Sequence, residues 1–196
     1  MTDVFVKGYT KPADGLAREI EVNIGASAVC APISGIALVE TGHEIRHVTL
    51  TLAGVVVATA DHTTSGGEGG KQLLTFPAGN ILVLGAVSSL ALTADGTGVL
   101  SGASLVSSIG SVVPAADATL TSTEANIIPS TASTLTSLAG VMLGKSTGVA
   151  LLDGTSSNAK AYLNFAVNDA GHGDGAAGSV TVTGTIRISY INLGDI

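Results

Sequence analysis

A chain of 196 residues with a formal net charge of −7, only 12% charged residues and 45% hydrophobic ones is too apolar and too weakly charged to be disordered. Its 8 Lys and Arg are scattered, which argues against nucleic acid and against anionic membrane surfaces, since both need a concentrated positive face. The 26 glycines, the lack of Trp and the runs of Val, Ile and Thr point to an all-β chain long enough to fold without a metal or disulfide.

Residues 1–16, with Lys7, Gly8, Lys11, Pro12 and the Asp14-Gly15 turn pair, read as an N-terminal arm or a first short strand, and residues 17–196 as a single β domain. Residues 1–11 lack the apolar core of a signal peptide and no apolar run reaches the roughly 18 residues of a membrane helix, so synthesis in the cytoplasm is expected. From Arg18, Ile20, Val22 and Ile24 alternate with Glu19, Glu21 and Asn23, the period of a half-buried strand. Cys30, the single cysteine, cannot form an intramolecular disulfide and reads as a small buried apolar residue rather than a nucleophile. Residues 33–39 form a further short apolar run. Val48, Leu50 and Leu52 keep one phase, and after Ala53-Gly54 the phase flips to Val55 and Val57, as at a bulge or corner. Residues 62–71 are expected to form a flexible glycine-rich loop. Strands follow at about 72–76 and 80–93; in the second, Ile81, Val83 and Val87 are in phase before a slip at Ser88-Ser89 leads to Leu90 and Leu92.

Asp95-Gly96 is a hairpin-type pair, and residues 97–113 read as short strands or open loop. Thr121 and Glu124 have the spacing of a capping box, in which hydroxyl and carboxylate satisfy the free N–H groups at a helix start; Pro129 limits that helix to about two turns. Strands are expected near 134–143, 147–152 and 161–167, the last with Leu163, Phe165 and Val167 on one face, before a long flexible tip at 168–178. In the final strand Val180, Val182, Ile186, Ile188 and Tyr190 share one face, and Thr181, Thr183, Thr185, Arg187 and Ser189 the other. The expected fold is an all-β sandwich or jelly-roll-like domain with an N-terminal arm and at most one short helix.

The chemical motifs each have a plainer reading. Ala139-Gly-Val-Met-Leu-Gly144-Lys145-Ser146 fits a loose phosphate-loop pattern, but a strand and a turn follow it where a helix is needed, and no separate strand ends in a magnesium-binding Asp, so it reads as a loop between strands. Asp169, His172 and Asp174 lack the spacing of a calcium loop. His43 and His47, four apart near a strand, would lie about 13 Å apart, too far to share a zinc. Asp61, Glu68, Asp95, Asp153 and Asp174 sit beside glycine or in turns, and no nucleophile elbow is present. No catalytic, cofactor or metal site is therefore expected, and the chain is not expected to be an enzyme.

Asp117-Ala-Thr-Leu-Thr-Ser-Thr-Glu-Ala-Asn-Ile-Ile-Pro-Ser-Thr, Tyr162-Leu-Asn-Phe-Ala-Val and Val182-Thr-Gly-Thr-Ile-Arg-Ile-Ser-Tyr-Ile-Asn-Leu-Gly-Asp, together with Asn80-Ile-Leu-Val-Leu-Gly-Ala, resemble the head structural and capsid decoration (cement) proteins of tailed bacteriophages. The resemblance spans roughly residues 75–196, rests on packing and turn motifs, and does not extend to the N-terminal third. It implies a virion protein on the outer capsid surface that binds the major capsid protein, often as a homotrimer, and it carries over no catalytic residues. Another virion module of similar chemistry, a tail-tube, fibre or adhesin-like β domain, is the alternative.

Overall fold

Among the residues that the computed structural model describes, namely 6–10, 18–22, 30–62, 66–95, 104–115, 119–134, 139–167 and 178–194, every regular element but one is a β-strand. In chain order these are β1 (Val6–Thr10), β2 (Arg18–Val22), β3 (Ala31–Pro32), β4 (Ile36–Gly42), β5 (Arg46–His62), β6 (Gly66–Thr75), β7 (Asn80–Ala94), β8 (Ser104–Gly110), β9 (Ile128–Thr134), β10 (Ala139–Lys145), β11 (Ala150–Leu152), β12 (Lys160–Val167) and β13 (Gly178–Gly194). β1, inside the segment expected to be an arm or a first strand, pairs with β2 in a two-stranded sheet. The others form an 11-stranded sheet in the order β10-β7-β13-β5-β6-β12-β8-β9, with β11 beside β7, β3 beside β6 and β4 beside β5.

The expected all-β fold thus takes the form of one strongly curled antiparallel sheet, a half-barrel. Its curl follows from β5, which runs 17 residues: Arg46 to Thr59 lie along β13, while Ala60, Asp61 and His62 pair with β6. The two ends of the strand order, β9 and β10, come together, so that a Cβ on Gly144 would lie 2.7 Å from Ile128 Cγ2. Side chains from both halves, among them Leu50, Leu92 and Ile186 on one and Leu73, Leu105 and Phe165 on the other, fill a single core. Burying each such side chain stabilises the fold by about 1.5–3 kcal/mol.

The phase flip at Gly54 is a β-bulge. Val182 pairs with Val55 and Thr183 with Ala53, leaving Gly54 unpaired at φ +73° with its N–H donated to Thr183 Oγ1 at 3.1 Å. Val48, Leu50, Leu52, Val55 and Val57 are all buried in consequence. In β13 the predicted inner residues Val180, Val182, Ile186, Ile188 and Tyr190 are likewise fully buried.

Elsewhere the sequence reading is corrected. The glycine-rich stretch expected as a flexible loop is strand β6 from Gly66 onward, paired with both β12 and β5. Its glycines serve close packing: a Cβ on Gly69 would collide with the Ala58 carbonyl oxygen, and one on Gly70 would lie 2.8 Å from Pro114 Cδ. In β7 the slip falls earlier than expected, at Leu84, where Tyr190 pairs with Val83 and Ser189 with Gly85. Ser88 then points inward and Val87 is 51% exposed, because the Ser88 hydroxyl finds a buried partner, the Gly144 N–H at 3.1 Å. The helix expected after Thr121 is a single 3-10 turn over Ser122–Glu124. The Glu124 carboxylate accepts the Thr121 N–H at 2.9 Å as foreseen, but Ile127 and Ile128 are drawn into the core, and the Ile127 N–H bonds Ile109 O across the sheet instead of continuing a helix. The strand expected at 134–143 is divided between β9 and β10, and the phosphate-loop look-alike, expected as a loop, is β10 itself. The expected tip at 168–178 lies outside the described residues up to Gly178, as does Gly96 of the expected turn.

Candidate functional site

Three local arrangements carry polar or exposed groups with work to do. The first is buried. On β4, Glu40 follows Ile36 and Leu38 at strand period and so points inward; Arg46 precedes Val48 on β5 in the same way. The hairpin between them brings Arg46 Nη1 to 3.1 Å from Glu40 Oε1. The Tyr190 hydroxyl donates to the same oxygen at 2.6 Å, the Cys30 N–H donates to Glu40 Oε2 at 2.9 Å, and Cys30 Sγ lies 3.5 Å from the Tyr190 hydroxyl. The Tyr190 ring meets Phe76 edge-on at 5.2 Å. Burial pushes the Cys30 thiol up to about 12 and raises Tyr190 above its usual value. For Arg46, burial is the largest single influence and pulls downward, but the bonds and charge of Glu40 and Tyr190 together outweigh it, and the guanidinium stays charged. A thiol so protonated is a poor nucleophile, so the cluster is a satisfied ion pair that fixes the β4–β5 hairpin against β13.

A second polar knot ties residues 111–115 and 119–127 to the sheet. Asn164, fully buried on β12, donates to Val112 O and Glu124 O, both at 2.8 Å, and Ser108 Oγ donates to Glu124 O at 2.7 Å. This covers the second face of β12, which is why Asn164 and Ala166 are as buried as Leu163, Phe165 and Val167.

The third arrangement is on the outside of the sheet. Lys145, Val87, Arg187 and Thr49 lie in register across β10, β7, β13 and β5, and Gly85, Ser189, His47 and Thr41 form the next row. Together they line an open trough of about 700 Å³ that no Asp or Glu among the described residues enters. Ser146 closes one end, its N–H donated to Ala86 O at 2.8 Å and its hydroxyl accepting the Ala86 N–H at 2.9 Å. His47 Nδ1 is 2.9 Å from Ser189 Oγ, a pairing that has, among the described residues of the trough, no orienting carboxylate of the kind needed to activate a serine. Beside the trough the outer surface turns aliphatic: Val141 and Leu143 on β10, Val149, and Leu151 on β11 are 57–68% exposed.

The residues weighed from sequence are not brought together. His43 sits in the turn before β5, exposed, while His47 faces the trough. The Asp153 carboxylate is occupied by the Thr155 N–H and hydroxyl at 2.9 and 2.7 Å, which hold it below its usual range; the Asp95 carboxylate accepts the Ser179 hydroxyl at 2.9 Å. Glu68 lies in β6, the Asp61 side chain is outside the described residues, and so are Asp169, His172 and Asp174. Among the described residues no group of three or more His, Cys, Asp or Glu is placed to hold a metal. Sequence reading missed the Glu40–Arg46 pair and the trough; the available signal was a charged residue in phase with the inner aliphatics of its strand, and two cations in phase with the outer threonines. No family model, curated protein or solved structure matches the chain.

Proposed function

We propose that the chain is a structural protein of a tailed bacteriophage virion, a decoration (cement) protein that binds the outer surface of the head and stabilises the major capsid lattice. The observation that carries this reading is the set of exposed aliphatic side chains on the outer face of the hydrogen-bonded sheet, Val141 and Leu143 on β10 and Val149 and Leu151 at β11. Exposed aliphatic side chains of this kind are stabilised by a partner that covers them. The likeness of residues 80–86, 117–131, 162–167 and 182–195 to phage head proteins supplies the identity of the assembly.

The mechanism is mass action. A copy that binds the assembled lattice and not its separated subunits stabilises the lattice by about 2.7 kcal/mol at a concentration a hundredfold above its dissociation constant. Many copies, grouped as homotrimers, add up without catalysis or cofactor. Electron cryomicroscopy of purified particles tests the reading. Knobs on the head are expected, lost when the gene is deleted and thinned when residues 1–16 are removed, with the β domain still folded. Density confined to the tail or fibres would replace this reading with the tail-module alternative.

A further inference from the structure

We infer that the trough on the outer sheet face is a docking site for an acidic, extended polypeptide segment, independently of any role on a capsid. The chain carries 15 acidic and 8 basic residues, yet among the described residues the trough holds Lys145, Arg187 and His47 and no carboxylate. Lys145 and Arg187 have no ion-pair partner among the described residues. They flank the exposed Val87 in register, two strand spacings or about 10 Å apart.

The shape fits the same occupant. Crossing from β10 to β4 takes four strand spacings, about 19 Å, the length of an extended segment of about six residues. Gly85 contributes no side chain and Ser189 a small one, so the floor is low beneath such a segment, and the Ser146–Ala86 bonds fix the backbone that carries Lys145. Carboxylates two residues apart on an extended chain share one face about 7 Å apart and reach both cations through their flexible side chains, while the residue between them points away from Val87. A nucleic acid fits less well: two fixed cations neutralise few phosphates, and the net charge of −7 repels a long polyanion.

The test is fluorescence anisotropy with the full chain and a labelled, end-blocked peptide of about eight residues alternating Glu and Val. Saturable binding that weakens with added salt is expected. Lys145→Glu and Arg187→Glu should each weaken it about threefold and together about tenfold, with an unchanged circular dichroism spectrum and urea midpoint. Lys160→Glu, on β12 and outside the trough, should leave binding unchanged. Equal binding by the double variant, or equal binding of a Lys-Val peptide, overturns the inference. So does a single-stranded oligodeoxynucleotide that binds as tightly through the same residues, or a double variant that alters only the chain's self-association. Peptide binding is read on the free chain, so its failure is distinguishable from a failure of head binding.

Discussion

Burial raises the Cys30 thiol to about 12, with the Tyr190 hydrogen bond acting against it and the Glu40 carboxylate adding to it. At neutral pH the group is a protonated thiol shut inside the sheet. Folded protein is therefore expected to resist iodoacetamide and aromatic disulfide reagents, and to react once unfolded in urea; labelling of the native state at the unfolded rate would place Cys30 at the surface. The same shift fixes a pH dependence. Above its ordinary value of 9.0 the unfolded thiol releases its proton while the folded one keeps it, so the stabilisation is complete below pH 9 and is lost as pH rises toward about 12. Tyr190, raised from 10.0 mainly by burial, acts in the same direction. The urea midpoint should fall with pH in this alkaline window, and Cys30→Ala with Tyr190→Phe should flatten the slope. A slope equally steep in the double variant would assign it to other groups.

Two glycines in neighbouring strands separate conformational need from close packing. Gly54 forms the β5 bulge at φ +73°, and a Cβ there meets nothing within 4 Å. Gly54→Ala thus carries backbone strain alone, about 1 kcal/mol. Gly69 in β6 has ordinary backbone angles, but a Cβ would strike the Ala58 carbonyl oxygen and lie 3.0 Å from Thr59 Cγ2. Gly69→Ala is expected to cost more, about 2–3 kcal/mol, because β5 or β6 must move. Denaturant melts of the two variants decide the point. If Gly69→Ala proved the milder change, the 66–71 stretch would be the yielding loop that its composition suggests.

At the scale of the whole molecule, the curled sheet has an interior packed by both of its halves and an exterior that is partly aliphatic. Leu143, 68% exposed on β10, contributes little to that interior. Leu143→Asp is expected to change folding stability by no more than about 0.5 kcal/mol. In the proposed setting it should nevertheless lower head occupancy severalfold, because it sets an unpaired carboxylate into a surface that a partner must desolvate. Sedimentation of particles mixed with the variant gives the occupancy, and unchanged occupancy would move the interface away from β10.

What the sequence determined by itself was local: β-strand period, the Gly54 bulge, the inner face of β13 and the Glu124 contact to Thr121 all follow from alternation and turn chemistry within a few residues. The tertiary structure decided everything that depends on a partner from far along the chain. Ser88 turns inward because Gly144 waits there with an N–H, the glycines of β6 extend because β5 and β12 press on them, and the turn after Thr121 stops because Ile127 and Ile128 are needed in the core. The trough and the Glu40–Arg46–Tyr190–Cys30 cluster belong to this second class. Strand pairing puts Tyr190 beside a hairpin 150 residues earlier, and no periodicity within one strand encodes which strand lies next to it.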